Sequence, residues 1–98
     1  MLIRKIVIEN YELASQNCAQ FIRNILDSIH DSRASVALKI EGIHTLTYIS
    51  TYPILTISKF APAVSRELKL LLDDKKRVVR KFARNCINEW NMLGTSAE

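Results

Sequence analysis

The stretch Leu70-Leu71-Leu72-Asp73-Asp74-Lys75-Lys76-Arg77-Val78-Val79-Arg80-Lys81-Phe82-Ala83-Arg84 decides the fold. Its leucines close one helix, its aspartates make a turn, and its basic residues open a second helix. From Val78 onward the apolar positions Val78, Val79, Phe82, Ala83, Cys86, Ile87 and Trp90 recur at the three-to-four-residue spacing of an amphipathic helix. Arg77, Arg80, Lys81 and Arg84 fall opposite, so one face is expected to pack and the other to be strongly positive. Lys75, Lys76 and Arg77 stand in or just before the first turn, where the helix dipole favours acids. Asp73 and Asp74 are expected to cap that turn. Cations placed against the dipole point to an acidic partner; a solvated basic face is the plainer reading.

At 98 residues the chain has room for one domain with a modest core. Its apolar content of 48% with two glycines and two prolines suits a helix-rich protein, and no apolar run approaches the roughly 18 residues of a membrane span. The net charge of +4 is concentrated. Residues 1–74 carry eight basic and eight acidic residues, whereas residues 75–98 carry six basic residues against Glu89 and Glu98. The basicity is therefore a patch.

Working outward, the pattern repeats at an offset of 43 residues. Asp31 aligns with Asp74, Val36 with Val79, Ile40 with Ala83 and Ile43 with Cys86. Upstream, Cys18, Phe21, Ile25 and Ile29 align with Ala61, Val64, Leu68 and Leu72. A period near 43 with two helices per unit lies in the range of HEAT and armadillo repeats, whose units bury their apolar stripes only by stacking. The expected architecture is all-α: a HEAT-repeat solenoid fragment of antiparallel helix pairs occupying residues 1–98. Helices are expected over 13–29, 34–50, 62–72 and 76–92. The 13–29 helix is read as the second of one repeat and 34–50 as opening the next. Thr51 to Ala61, with Pro53, reads as a turn; Pro62 fits a first helical turn, where its missing N–H costs nothing.

Residues 1–8 align with the end of a helix, with Ile6-Val7-Ile8 as a short strand the alternative. The chain thus starts in mid-repeat, which leads us to expect the C-terminal piece of a longer solenoid whose cut face exposes Ile3 and Ile6. Residues 93–98 read as a polar tail starting at a Gly94 cap.

Asp74, then Val79-Arg80, then Ala83 resembles the signature of HEAT repeats, in which acids and bases of neighbouring units form ladders. The run Leu72 to Lys81, followed by Glu89-Trp90 and Leu93-Gly94, is similar to the C-terminus of the large HEAT-repeat adaptor family of the cytosolic iron-sulfur assembly targeting complex, the methyl-methanesulfonate-sensitivity (Mms) DNA repair and transcription family. Residues 34–46 resemble that family's penultimate repeat, although Ala37 stands where many HEAT units carry arginine. The resemblance implies a non-catalytic docking module. It would bind the small reactive-cysteine subunit of the complex and, through it, a WD-repeat propeller, while upstream repeats recruit iron-sulfur apoprotein clients of DNA repair and replication. The resemblance gives the adaptor no cluster or other cofactor of its own.

No residue pattern speaks for chemistry. His30 and His44 lie on different segments, as do Cys18 and Cys86, and none has the short ligand spacing of zinc or iron-sulfur motifs. Both cysteines sit in apolar stripes and read as reduced core thiols, which, with the lack of a secretory signal, suits the cytoplasm or nucleus. Asp73-Asp74 is accounted for by capping, and no glycine-rich phosphate loop exists. The partner-binding candidates are Lys75, Lys76, Arg77, Arg80, Lys81 and Arg84, with Trp90 either an interface anchor or the closure of the core. Sequence-independent nucleic-acid binding through the same cations is the rival, weakened because Phe82 falls in the apolar stripe and neither Trp90 nor any tyrosine interleaves with the basic run.

Overall fold

The computed structural model describes residues 9–93. The expectations for residues 1–8, helical or strand, and for the tail from Gly94 lie outside the described residues. Six α-helices follow in chain order: α1 Tyr11–Gln16, α2 Cys18–His30, α3 Val36–Ile49, α4 Ile54–Ile57, α5 Ala61–Leu68 and α6 Arg77–Asn91. Short 3-10 turns, Ser58–Phe60 and Lys69–Asp73, lead into and out of α5. There is no strand among the described residues, and the protein is all-α and HEAT-like.

The helix expected from residue 13 starts earlier and is interrupted. Asn10 Oδ1 accepts the Leu13 N–H at 3.2 Å, opening α1. Asn17 then leaves helical geometry, its ψ at 25°, while its side-chain amide donates to the Leu13 carbonyl at 2.9 Å. An asparagine that can bond its own backbone competes with the helix ladder, which locates the break. Beyond it, Cys18, Ile22, Ile25, Leu26 and Ile29 form one buried stripe along α2.

The turn into α3 is built by side chains. Asp31 Oδ1 accepts the Arg33 N–H at 2.8 Å, and Ser35 Oγ accepts the Leu38 N–H at 3.1 Å as the N-cap. A turn this short forces α2 and α3 antiparallel, and Lys69–Asp73 with the following bend does the same for α5 and α6. α2 and α3 thus form one antiparallel pair, and α5 and α6 form the other. Gly42 lets the pair close, because a Cβ there would collide with Ile29 Cγ2 on α2.

The linker is also more structured than a turn. Pro53 precedes α4, whose Ile57 is fully buried and fastens the connection to the core. Pro62 falls in the first turn of α5. The helix expected to reach residue 72 tightens into 3-10 geometry at Lys69.

The pairs stack in two layers, and the shortest extent of the molecule is 17 Å, about two helices deep. α2 packs beside α5, where Arg23 forms a two-pronged pair with Glu67 at 2.8 and 3.1 Å. α3 packs beside α6 in parallel: the Cys86 thiol donates to the Ile43 carbonyl at 3.7 Å and the Trp90 indole to the Leu46 carbonyl at 3.0 Å. Ile25, Ile43, Leu46, Val64, Leu68, Val79 and Ala83 are fully buried between the layers.

Candidate functional site

The site is the outer flank of α6 and the turn before it. Asp74 organises that turn, though not as a helix cap. Its Oδ1 accepts the Lys76 N–H at 2.9 Å, reproducing one unit later the bond from Asp31 to Arg33. Its Oδ2 receives Lys39 Nζ of α3 at 2.6 Å, and its carbonyl receives Arg80 Nη1 at 2.6 Å. The Asp74 side chain is only 8% exposed in this setting. The Lys39 ammonium, and then the Lys76 N–H, hold its carboxyl below the usual carboxylate range.

The expectation that Asp73 and Asp74 cap the last helix is thereby corrected. The N-cap of α6 is Lys76, no side chain caps the helix, and its first turn contains no acid. Asp74 lies two residues too early, and Lys39 already engages its second oxygen.

The six candidate cations divide accordingly. Arg80 is tied to the Asp74 carbonyl and positions the turn. Lys75, Lys76, Arg77, Lys81 and Arg84 are exposed, and among the described residues no carboxylate forms an ion pair with any of them. Arg77, Val78, Arg80, Lys81 and Arg84 line one open depression. Arg77, Lys81 and Arg84, at i, i+4 and i+7, run along one side of two helical turns, about 10 Å.

Two residues move relative to the sequence expectation. Val78 is 41% exposed, outside the packed stripe that runs through Val79, Ala83, Cys86, Ile87 and Trp90. Its helical spacing from Phe82 predicts a core position, but the rotation of about 100° from Val79 carries it to the rim. Trp90 is wholly buried and hydrogen-bonded to α3, so it closes the core and offers a partner no surface; the interface-anchor reading is corrected. Phe82 stands edge-on to His44, with centroids 4.8 Å apart, and is likewise engaged. Lys39 is the functional neighbour that sequence reasoning missed; its only signal was the ladder habit of HEAT units.

Among the described residues, no group of three or more His, Cys, Asp or Glu side chains could hold a metal ion, and no helix is long and apolar enough to cross a membrane. Cys18 and Cys86 are free and buried. Burial pushes the Cys86 thiol up to about 11 and raises that of Cys18 as well, so neither is an activated nucleophile.

Fold and surface together define a class: a HEAT-like stack of helix pairs carrying an open cationic flank. Within that class, the chain is similar to the human MMS19 nucleotide excision repair protein homolog, with 36% identity over 64 residues, covering 65% of this chain and 6% of that protein. It is similar also to the bovine MMS19 nucleotide excision repair protein homolog, 36% identical over 61 residues, or 62% of this chain and 6% of the relative. The chain therefore spans only a small part of the length of the curated relatives it matches. No protein-family model matches it. The resemblance drawn from Leu72 to Lys81 and its neighbours is borne out by these relatives.

Proposed function

We propose that this chain is a non-catalytic protein-docking module of a DNA-repair-linked scaffold. The observation that carries the reading is the flank of α6: Lys75, Lys76, Arg77, Lys81 and Arg84 stand exposed without an intrachain counter-ion among the described residues. Long-range attraction by such a surface speeds encounter with an acidic partner and fixes its orientation. The repair link comes from the names of the relatives. The finer reading is the iron-sulfur one. In it the module binds the small reactive-cysteine subunit of the cytosolic targeting complex, and the assembly delivers clusters to cytoplasmic and nuclear apoproteins.

A pull-down tests this, using the small subunit as bait and comparing the native chain with the combined Arg77→Glu, Lys81→Glu, Arg84→Glu variant. Capture of the native chain and loss of the variant, with helical circular dichroism retained, is the expected result. Failure to capture the native chain overturns the iron-sulfur reading. The same cations also favour sequence-independent nucleic-acid binding, but Phe82 and Trp90 are engaged in packing and leave no stacking platform beside them.

A further inference from the structure

We propose that the depression between Arg77 and Arg84 takes an acidic peptide segment of the partner that carries an aliphatic side chain among its carboxylates, seated on Val78. The inference rests on the docking reading above and specifies the chemistry of the epitope. Val78 is the apolar member of a depression otherwise lined by Arg77, Arg80, Lys81 and Arg84, and at 41% exposure it presents a β-branched surface to solvent. Arg80 is committed to the Asp74 carbonyl, which leaves Arg77, Lys81 and Arg84 as the uncommitted cations of the depression, in a row beside Val78.

A purely electrostatic ligand, such as a phosphate backbone, gains from the cations and nothing from Val78. A segment with carboxylates spread over about 10 Å meets Arg77, Lys81 and Arg84 together, since these residues span two helical turns. An aliphatic group between its carboxylates removes Val78 from water, and the surrounding ion pairs shield the contact. The aliphatic stems of Arg77 and Lys81 add apolar surface beneath their charged ends.

The test is a fluorescence titration of the whole chain with short synthetic peptides of aspartate and glutamate, one bearing a central leucine and one a central serine, and with oligothymidylate. The leucine peptide is expected to bind about tenfold more tightly than the serine peptide, a factor corresponding to about 1.4 kcal/mol. Val78→Ser, an exposed change that leaves the core intact, is expected to close that gap while preserving the salt dependence. Combined Arg77→Glu and Arg84→Glu is expected to abolish binding of both peptides. Equal binding of the two peptides, absence of peptide binding, or tightest binding by oligothymidylate overturns the proposal. A chain that prefers the leucine peptide yet fails to capture the small subunit keeps this inference and removes only the named partner.

Discussion

The Trp90 indole N–H donates to the Leu46 carbonyl at 3.0 Å across the α3–α6 interface, from a side chain with no exposed surface. Leu46 O also receives the Ser50 N–H at 3.1 Å near the end of α3. One ring thus joins the two helix pairs through both packing and a directed bond. Trp90→Phe keeps most of the packing and is expected to cost about 1–2 kcal/mol, chiefly the lost donor. Trp90→Ala adds a cavity and is expected to cost about 3–5 kcal/mol. Urea unfolding checks both, and a loss below about 1 kcal/mol for the alanine variant would contradict the core assignment.

Gly42 makes a second stacking prediction. In an isolated helix alanine outranks glycine by about 1 kcal/mol. Here the new methyl would overlap Ile29 Cγ2, a β-branched and buried group that cannot swing aside, and would also approach Ile25. Gly42→Ala is therefore expected to destabilise by about 1–3 kcal/mol as α2 and α3 are forced apart. A stabilised variant in thermal unfolding would contradict the close approach.

The Lys39–Asp74 pair gives a pH dependence. The folded carboxyl of Asp74 titrates below its ordinary value of 3.8, so the unfolded chain binds the proton first as pH falls. The contribution is complete above that ordinary value and is lost as pH drops through the folded one. Asp31, lowered by Arg33, contributes in the same window, so the comparison to make is native against Asp74→Asn. The difference in unfolding free energy between these two chains is expected to be constant near neutrality and to shrink toward strongly acidic pH. A difference unchanged between neutral and strongly acidic pH would remove the pair from the account.

The thiols provide a kinetic check. Cys86 is fully buried, its thiol pushed up to about 11, and Cys18 is 4% exposed. Disulfide reagents at neutral pH are expected to react with neither until denaturant opens the fold, because thiolate supply and access are both withheld. Rapid modification of Cys86 in the native chain would show that the α3–α6 interface opens readily.

Much of this architecture is written in local chemistry. The 43-residue offset aligns Asp31 with Asp74, and both receive the N–H two residues on. The buried stripes of α2 and α6 follow the spacing of their apolar residues, as do Ile43 and Cys86 in equivalent places. What escaped the sequence depends on neighbours distant along the chain. The break at Asn17 turns on one side-chain amide choosing the Leu13 carbonyl, and α4 forms because Ile57 finds a pocket in the core. Helical spacing places Val78 and Val79 side by side without saying which of them the neighbouring helix covers. The six cations were legible as a patch, but the separation of Arg80 from the rest required the position of the Asp74 carbonyl. Trp90 occupied the right stripe; only the stacked pairs show that it is wholly buried, with its indole N–H on the Leu46 carbonyl of α3.

The exposed cations of α6 do not hold the fold together. Lys76 is its uncapped N-cap and Arg77 its first residue, with no acid in the first turn. Removing positive charge there relieves an unfavourable interaction with the helix dipole, worth about 0.3–1 kcal/mol for a reversal to glutamate. The most direct measurement is the unfolding free energy of the combined Arg77→Glu, Lys81→Glu, Arg84→Glu variant beside that of the native chain. Equal or higher stability in the variant is the predicted result, with the cations then available for a partner. A loss of more than about 1 kcal/mol would mean that they support the fold itself and would contradict the docking account.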